Sequence, residues 1–341
     1  MGNGLEEWGK RWNKKTRTDV AFNPEAEELM PDDIPVQIEA VDAIIGGGIP
    51  RGRTTVLFGE SSSGKTLLSQ LIIAAAQRQG GTAMFFDIER TYDPKWFALT
   101  GVDTSPKKLV VVRPRSLEQT FDMVIDALEN LRPEVIVVDS IPSLVPEAML
   151  NAEMTDKDFR GLAARKVTEG VRKVTHFNQS TALIFINQLR VDMGVSFGNP
   201  ESMPGGKGLR FWTSLLIRMR RGQWLYTKTG NKDDLEDFTS VDEKKDKKRI
   251  GFMLKLRVEK TKVSSTTWDE CELKFFFDGE MDTMGSLINL AIQRGVIGAA
   301  RGYYEIPGID KKIHGLGAVE KLLKEDEELK SSIIAKLKEE R

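Results

Sequence analysis

An uninterrupted run of eight residues, Gly59-Glu60-Ser61-Ser62-Ser63-Gly64-Lys65-Thr66, has the spacing of a loop that binds phosphate groups. Glycines let such a backbone curl so that its N–H groups face the phosphates, and the start of the following helix adds partial positive charge. A lysine at the position of Lys65 reaches the terminal phosphates, and a hydroxyl at the position of Thr66 ligates Mg²⁺. The run therefore predicts a nucleoside triphosphate site that uses Mg²⁺.

Three carboxylates follow short apolar runs and could act at the same site. Asp139 ends one such run, as expected of the carboxylate that shares the Mg²⁺ with Thr66. Hydrolysis also needs a group that orients or deprotonates water, and Asp87 and Glu89 close another apolar run. Of these two, Glu89 is our candidate base.

Alternating strands and helices must position these groups. Five short apolar runs predict strands at 54–58, 83–87, 109–112, 135–139 and 182–187. Three stretches with apolar residues at helical spacing predict helices at 65–79, 117–131 and 159–177. Ser116 and Gln119 stand where a capping box would begin the second helix. The alternation implies a parallel sheet with helices on both faces and ligands at the carboxyl ends of the strands.

A length of 341 residues suggests about two domains, and three regions differ in composition. Residues 1–33 are charged and short of apolar residues, and are predicted to form an N-terminal arm. Residues 34–280 carry the alternating strands and helices of an α/β core. Residues 281–341 are predicted to form a small α+β C-terminal domain with helices at 284–294 and 317–338.

The composition excludes several classes of protein. Lys and Arg total 50 and Asp and Glu total 51, so the formal net charge of −1 argues against binding a polyanion through overall charge. Cys271 is the only cysteine, which rules out an intrachain disulfide framework, and two histidines are too few for a multi-histidine metal site. No apolar run is long enough to cross a bilayer and the start is too polar for a signal peptide, so we expect a cytoplasmic protein without membrane contact.

Two segments interrupt the alternating pattern. Residues 189–210 contain five glycines and no periodicity, which is typical of a functional loop. From 187 to 221 six cations oppose two acids, a local balance of +4 in an otherwise neutral chain. Residues 222–250 are polar, with a basic run at 244–249, and are predicted to form the solvated tip of a hairpin.

Several strings, in this order and at this spacing, resemble the bacterial RecA-type recombinase family from about residue 38 to residue 337. Besides the phosphate loop, the matching strings are Asp87-Ile-Glu-Arg-Thr-Tyr-Asp-Pro94, Gly101-Val-Asp103, Val135-Ile-Val-Val-Asp-Ser140 and Gly161-Leu-Ala-Ala-Arg165. The most distinctive is Ile184-Phe-Ile-Asn-Gln-Leu-Arg190, followed by Gly194-Val195, Phe197-Gly-Asn-Pro-Glu201 and Gly205-Gly206. The resemblance implies an ATPase core whose mostly parallel central sheet is flanked by helices.

The resemblance implies roles for individual residues around ATP and Mg²⁺. Glu89 would activate the attacking water, and Gln188 would sense the γ-phosphate and couple it to the loop behind it. Asp93 and Trp96 would hold the adenine, with Trp96 standing where the family usually has tyrosine.

Neighbouring subunits would complete this site, according to the same resemblance. Lys260 and Lys262 would reach the γ-phosphate from the next subunit, so that hydrolysis depends on assembly much as it does with an arginine finger. Phe211 matches an aromatic residue that the family uses between subunits.

For DNA, the resemblance implies two loops, 146–160 and 189–210, that face the axis of a filament. The second loop combines flexible glycines with Met193 and Phe197 as apolar wedges. Its phosphate partners would be Arg190, Lys207 and Arg210 and the backbone N–H groups of Gly205 and Gly206. Arg165, Thr168 and Arg172 lie at helical spacing on one helix face and would join them. Such groups hold a single strand without sequence preference.

The chain departs from the family pattern in several places. Residues 146–161 carry a local balance of −2, Arg160 replaces an apolar residue, and Asp192 replaces a basic residue. The segment 222–250 is longer than its family counterpart, and the C-terminus lacks a long acidic tail. These differences fit a divergent or phage-encoded member.

The sequence thus predicts an ATP-dependent homologous recombination protein. It would form helical filaments on single-stranded DNA, pair that strand with homologous double-stranded DNA and exchange strands, with DNA-dependent ATP hydrolysis. Two other classes stay open, namely a ring-forming motor of the hexameric helicase type on the same fold and a non-catalytic mediator that binds nucleotide and DNA.

Overall fold

The computed structural model describes residues 4–16, 32–153, 159, 161–191, 201–227, 232, 235, 247–264 and 269–339. Its centre is a sheet of eight strands, numbered in chain order. In spatial order the strands are β10 (Glu270–Phe276), β9 (Lys248–Thr261), β8 (Leu215–Thr227), β1 (Thr54–Gly59), β5 (Ala182–Gln188), β4 (Val135–Asp139), β2 (Ala83–Asp87) and β3 (Leu109–Val112).

Most of this sheet is parallel, as predicted. The six strands from β8 to β3 pair in parallel, whereas β9 and β10 pair antiparallel at one edge. The register sets Gly59 opposite Gln188 on one side and opposite Met219 on the other. It also sets Asp87 opposite Asp139. The residues that end these strands therefore meet at one edge of the sheet.

Helices cover both faces of the sheet, because alternate strand residues point to opposite sides. On one face α2 (Glu39–Ile45), α3 (Lys65–Arg78), α4 (Pro94–Leu99) and α9 (Thr283–Gln293) share a buried apolar core with strand residues such as Leu57. On the other face α5 (Leu117–Asp126), α7 (Leu162–Phe177) and α8 (Gly206–Trp212) share a second core with residues such as Val56. The predicted α/β architecture is confirmed.

The capping residues predicted for α5 begin the helix, although one bond differs from a capping box. Ser116 Oγ accepts the backbone N–H of Gln119 at 3.1 Å, while Gln119 Oε1 accepts that of Arg115, not Ser116, at 2.7 Å. Past Asp126 the chain continues as a π turn, Ala127–Leu131, which stops at Arg132 in the left-handed conformation. The predicted helix 117–131 is therefore two segments.

A small three-stranded antiparallel sheet and two helices form the C-terminal part of the chain. The strands are β11 (Gly298–Ala300), β12 (Tyr303–Glu305) and β13 (Ile313–His314). The prediction of one helix over 317–338 is wrong, because α10 (Leu316–Glu325) and α11 (Glu327–Glu339) meet at Asp326. The Asp326 carboxylate accepts the backbone N–H of Leu329 at 2.9 Å, which begins a new helix.

The remaining elements are short or lie before the sheet. They are α1 (Gly4–Thr16), a 3₁₀ turn (Ile141–Ser143), α6 (Glu147–Leu150), β6 (Arg190–Val191) and β7 (Glu201–Ser202). Within the described residues, none of the helices combines the length and the apolar character needed to cross a membrane. Residues of α10 and α11 belong to the same apolar core as α2 and α9. The limits of the arm, the core and the C-terminal domain stay predictions.

The packing of α7 on α5 gives a test of this fold. A Cβ atom at Gly170 would lie 2.4 Å from the Phe121 ring, so Gly170→Ala should lower the free energy of unfolding by about 1–3 kcal/mol in urea titrations. Gly317→Ala is the matched control, since a Cβ there meets nothing within 4 Å, and should change stability by less than about 0.5 kcal/mol. Equal stability of the two variants would contradict this packing.

Candidate active site

The phosphate loop joins the end of β1 to the start of α3, as predicted from its context. Gly59 lies so close to the neighbouring strand that a Cβ would sit 2.0 Å from the Met219 carbonyl oxygen. Gly64 precedes α3 with a φ of +86°, a left-handed backbone conformation that is unfavourable for residues other than glycine. The two glycines therefore let the loop turn sharply against β8 and begin the helix.

Lys65 and Thr66 hold the loop and connect it to β4. Lys65 Nζ donates to the carbonyl oxygens of Gly59 at 3.2 Å and Glu60 at 2.6 Å. Thr66 Oγ1 donates to Asp139 Oδ2 at 2.7 Å. The structure thus brings together the hydroxyl and the carboxylate that the sequence predicts for Mg²⁺, and oxygen ligands of this kind suit that ion.

Burial shifts the pKa values of Asp139 and Lys65, the two charged side chains of the candidate phosphate site. Burial raises the pKa of Asp139 to about 6, an effect that the Thr66 hydrogen bond opposes and the nearby Glu89 reinforces. Burial also lowers the pKa of Lys65, although Asp139 and Glu89 favour its charged form. A desolvated carboxylate of this kind is stabilised by a bound cation, which fits Mg²⁺ at Thr66 and Asp139.

The structure separates the two carboxylates that end β2. Asp87 is buried and forms an ion pair with Arg113, with 2.8 Å between Oδ2 and Nη2, and it also accepts the backbone N–H of Thr91. Glu89 is half-buried and lines the cavity beside the phosphate loop. Glu89 is therefore the one of the two that is placed to act on a bound phosphate.

One oxygen of Glu89 accepts three hydrogen bonds, one from the last residue of β5 and two from residues that follow β4. Gln188 Nε2 donates to Glu89 Oε1 at 3.1 Å, and Ser143 Oγ donates to the same oxygen at 3.2 Å. Ser140 Oγ donates to it as well. Ser140 belongs to one of the strings that match the family, but Ser143 does not. Nothing in the sequence near Ser143 marks it as the partner of a distant carboxylate.

A cavity of about 410 Å³ opens between the phosphate loop and the strands β8 and β9. Residues 61–67 line it together with Glu89, Asp139, Gln188 and Trp96. Its volume lies within the range of small-molecule sites. Asp93 instead caps α4 through a 2.9 Å bond from the backbone N–H of Lys95.

The cavity is also lined by residues that the sequence did not assign to the nucleotide site, namely Arg221, Trp224, Phe252 and Phe277. Trp224 packs edge-on against Phe252, and the guanidinium carbons of Arg221 and Arg249 lie 4.4 and 4.1 Å from the centre of the Trp224 ring. Most of these residues come from β8 and β9, and Phe277 directly follows β10. The pairing of β8 with β1 brings them to the cavity.

Lys260 and Lys262 lie away from this cavity, at the end of α8. Lys260 Nζ donates to the carbonyl oxygens of Arg210 at 2.5 Å and Thr213 at 2.9 Å. Lys262 Nζ donates to that of Phe211 at 2.8 Å. Phe211 itself is 67% exposed. Within one chain, the two lysines therefore hold the last carbonyls of a helix, where cations are favourable.

The base of the glycine-rich loop is tied to the sheet and to α7. Asn187 Nδ2 donates to the carbonyl oxygen of Pro204 at 2.7 Å. Thr168 Oγ1 donates to those of Ala164 at 2.9 Å and Gly205 at 3.4 Å, so its hydroxyl is engaged within the protein. The strands β6 and β7 pair and close the loop. Met193 and Phe197, like the Lys207 side chain, lie outside the described residues.

The predicted cations of the DNA face are exposed around this base. They are Arg165, Arg172, Arg190 and Arg210, and Gly206 is exposed beside them whereas Gly205 is buried. Arg218, counted in the local charge balance, is different because its guanidinium pairs with Glu201 and with Glu259. Arg218 is therefore not an accessible cation, although the sequence count of +4 already subtracts Glu201 as one of its two acids.

Comparison with known proteins identifies the family. A family model described as the RecA N-terminal domain matches residues 24–281. Protein RecA of Thermus aquaticus is 37% identical over 319 residues, which are 92% of this chain and 87% of that protein. The chain belongs to the RecA family. Protein RecA of Aquifex aeolicus is 35% identical over 317 residues, or 92% of this chain and 85% of that protein.

The match confirms the resemblance that the sequence strings carry. Protein RecA of Thermus thermophilus is 36% identical over 90% of this chain and 85% of its own length. Proteins of the RecA family act in DNA recombination and repair and bind ATP and DNA. The phosphate loop, Glu89 and Gln188 all lie inside the region that the family model matches.

The buried carboxylate gives a test at the candidate site. The pKa of Asp139 in the folded protein, about 6, exceeds its ordinary value. Ionisation of Asp139 should therefore lower the free energy of unfolding by up to about 3 kcal/mol as the pH rises from 4 to 6. Asp139→Asn should remove that cost, so that in EDTA the variant is the more stable protein above pH 6 and loses the advantage near pH 4. Urea titrations at pH 4.5 and pH 8 measure the difference. A variant that is less stable at pH 8 would contradict the electrostatic account.

Proposed function

We propose that this protein is an ATP-dependent recombinase that forms helical filaments on single-stranded DNA and exchanges strands with a homologous duplex. The observation that carries the proposal is the bond between Glu89 and Gln188. Gln188 ends β5 immediately before the glycine-rich loop, so the candidate base and the candidate DNA-binding loop share a hydrogen bond. Such a contact supports hydrolysis that depends on DNA.

ATP would be held by the backbone and side chains of residues 59–66. Lys65 would exchange its loop carbonyls for the β- and γ-phosphates, and Thr66 and Asp139 would hold Mg²⁺, which neutralises charge on the phosphates. Trp96 would pack against the adenine, and Phe252 and Phe277 line the same cavity. For Asp93 we propose a contact at the start of α4, where its carboxylate stands.

Glu89 would take the proton of the attacking water. All the hydrogen bonds that the described residues give to its carboxylate go to Oε1, which leaves Oε2 to face the water. Gln188 would respond to the γ-phosphate through the amide that now contacts Oε1. Lys260 and Lys262 would add two positive charges from the next subunit, so that only an assembled filament hydrolyses ATP.

DNA would lie along the face formed by α7, α8 and the loop between β5 and α8. Exposed arginines there, Arg165, Arg172, Arg190 and Arg210, would neutralise phosphates, together with Lys207. Backbone N–H groups at Gly205 and Gly206 would add contacts, and Met193 and Phe197 would separate bases. Thr168 would act indirectly, because its hydroxyl already fixes Gly205.

The larger arrangement follows the same proposal. Residues 1–33 would form the arm that joins subunits, residues 34–280 the ATPase core, and residues 281–341 the C-terminal domain. Phe211, exposed at the end of α8, would lie at the subunit interface. The protein would act in the cytoplasm, where its DNA is.

Electron microscopy with a slowly hydrolysed ATP analogue and single-stranded DNA tests the proposal directly. We expect open helical filaments from the native protein and none from Lys65→Ala. Closed rings would favour a helicase-type motor instead. Strand exchange by Lys65→Ala at the native rate would overturn the proposed role of ATP.

The candidate base has its own test. Glu89→Gln keeps the shape and the hydrogen-bond acceptor of the side chain, so ATP binding and filament formation should persist while DNA-stimulated phosphate release falls at least about 100-fold. Phosphate release is measured with saturating single-stranded DNA, and filaments are counted by negative stain. Unchanged hydrolysis by Glu89→Gln would show that Glu89 is not the base, whereas a native protein without DNA-stimulated phosphate release would favour a non-catalytic mediator.

Mixing two inactive variants tests whether the lysines act between subunits. Glu89→Gln lacks the base but supplies lysines, whereas Lys260→Ala/Lys262→Ala lacks the lysines but keeps the base. In equal mixtures about a quarter of the head-to-tail interfaces would combine an intact Glu89 with intact lysines. ATPase activity should therefore return to about a quarter of the native rate. Mixtures as inactive as the separate variants would show that the lysines act within their own chain.

A further inference from the structure

Ser143 is a polar side chain beside the proposed base whose role the family resemblance does not supply. It lies 54 residues from Glu89 in the chain, and its hydroxyl donates to Glu89 Oε1 at 3.2 Å. We propose that Ser143 is a positioning residue that couples the loop at 146–160 to the catalytic carboxylate. The inference rests on the proposed function, in which Glu89 activates water and that loop contacts DNA.

The 3₁₀ turn Ile141–Ser143 fixes this hydroxyl relative to β4. The backbone N–H of Ser143 donates to the Ser140 carbonyl oxygen at 3.1 Å, and the two serine hydroxyls lie 3.4 Å apart. Ile141 and Leu144, on either side, are almost fully buried in the core beneath α5 and α7. The turn therefore holds the two hydroxyls in a fixed position relative to each other and to β4.

The same turn leads directly into the loop at 146–160. The carbonyl oxygen of Val145 accepts the backbone N–H of Leu117 at 2.8 Å, and the Glu118 carboxylate accepts that of Glu147 at 2.9 Å. These bonds tie the chain on both sides of Pro146 to the start of α5. Only Leu144, Val145 and Pro146 separate Ser143 from α6, so a displacement of α6 has a short path to the turn.

The residues that precede the two candidate DNA loops thus donate to the same carboxylate oxygen. Gln188 precedes the loop at 189–210 and Ser143 precedes the loop at 146–160, and each donates to Glu89 Oε1. Hydrogen bonds to a charged acceptor are stronger than neutral ones, so two fixed donors hold one orientation of the carboxylate. With both loops in place, Oε2 keeps a constant direction toward the water; when either loop shifts, that direction changes.

The chain permits a matched test of the hydroxyl. Ser143→Thr keeps it and Ser143→Val removes it, while the two replacement side chains have nearly the same shape. We expect the valine variant to fall about tenfold below the threonine variant in kcat with single-stranded DNA. The KM for ATP, the affinity for single-stranded DNA and the thermal midpoint should match between them, because the turn packs in the same way.

The ratio of ATPase rates with and without DNA separates coupling from simple support of Glu89. Coupling predicts that the ratio falls in the valine variant and not in the threonine variant. An equal loss at both rates, or equal kcat values for the two variants, would overturn the inference.

The Glu89→Gln variant distinguishes failure of the coupling role of Ser143 from failure of the proposed function. If Glu89→Gln is inactive and the Thr and Val variants are equally active, only the coupling role of Ser143 is wrong. If Glu89→Gln hydrolyses ATP normally, the proposed base is wrong and the coupling falls with it. Support requires that adding Ser143→Val to Glu89→Gln causes no further loss.

Discussion

The parallel pairing of β2, β4, β5 and β1 is the constraint on which the candidate site depends. These strands run in one direction and are neighbours in that order, so the groups at their ends collect at one edge. Glu89, Asp139, Gln188 and the phosphate loop come from four separate segments, and no local interaction would bring them together. β8 adds a further restriction, because its carbonyl at Met219 leaves room only for glycine at position 59.

The site is held at an electrostatic cost. Lys65, Asp139 and Glu89 stand together at the carboxyl edge, and burial disfavours the charged forms of Lys65 and Asp139. The hydrogen bond from Thr66 and the proximity of opposite charges offset part of that cost. An arrangement of this kind is strained by its own desolvation and is relieved by ligands that bring phosphate and a divalent cation.

Motifs made of consecutive residues could be predicted from the sequence, whereas contacts between distant segments could not. The phosphate loop carries its own spacing. The alternation of apolar runs predicted the strands β1 to β5 to within a residue at their ends, but it did not predict the strands β8, β9 and β10. The sequence favoured Glu89 over Asp87 as the base, and the ion pair of Asp87 with Arg113 supplies a physical reason for that choice. The bond from Ser143 spans 54 residues, so no periodicity could signal it.

Two further differences have local physical reasons. Asp326 breaks the C-terminal helix because its side chain competes for backbone N–H groups, which an apolar pattern does not register. Not all six cations near the glycine-rich loop are accessible, since Arg218 pairs with two glutamates from β7 and β9. Residue totals ignore such pairing, whereas the geometry of β8 and its neighbours decides it.

The position of Lys260 and Lys262 has a consequence for the protein before assembly. Each ammonium group already holds carbonyl oxygens at the end of α8, so a single chain keeps these charges occupied. Any anion that recruits them must replace existing hydrogen bonds, and it gains only the difference between the two sets of partners. The exchange makes binding at this surface weaker and more readily reversed than binding by solvated lysines.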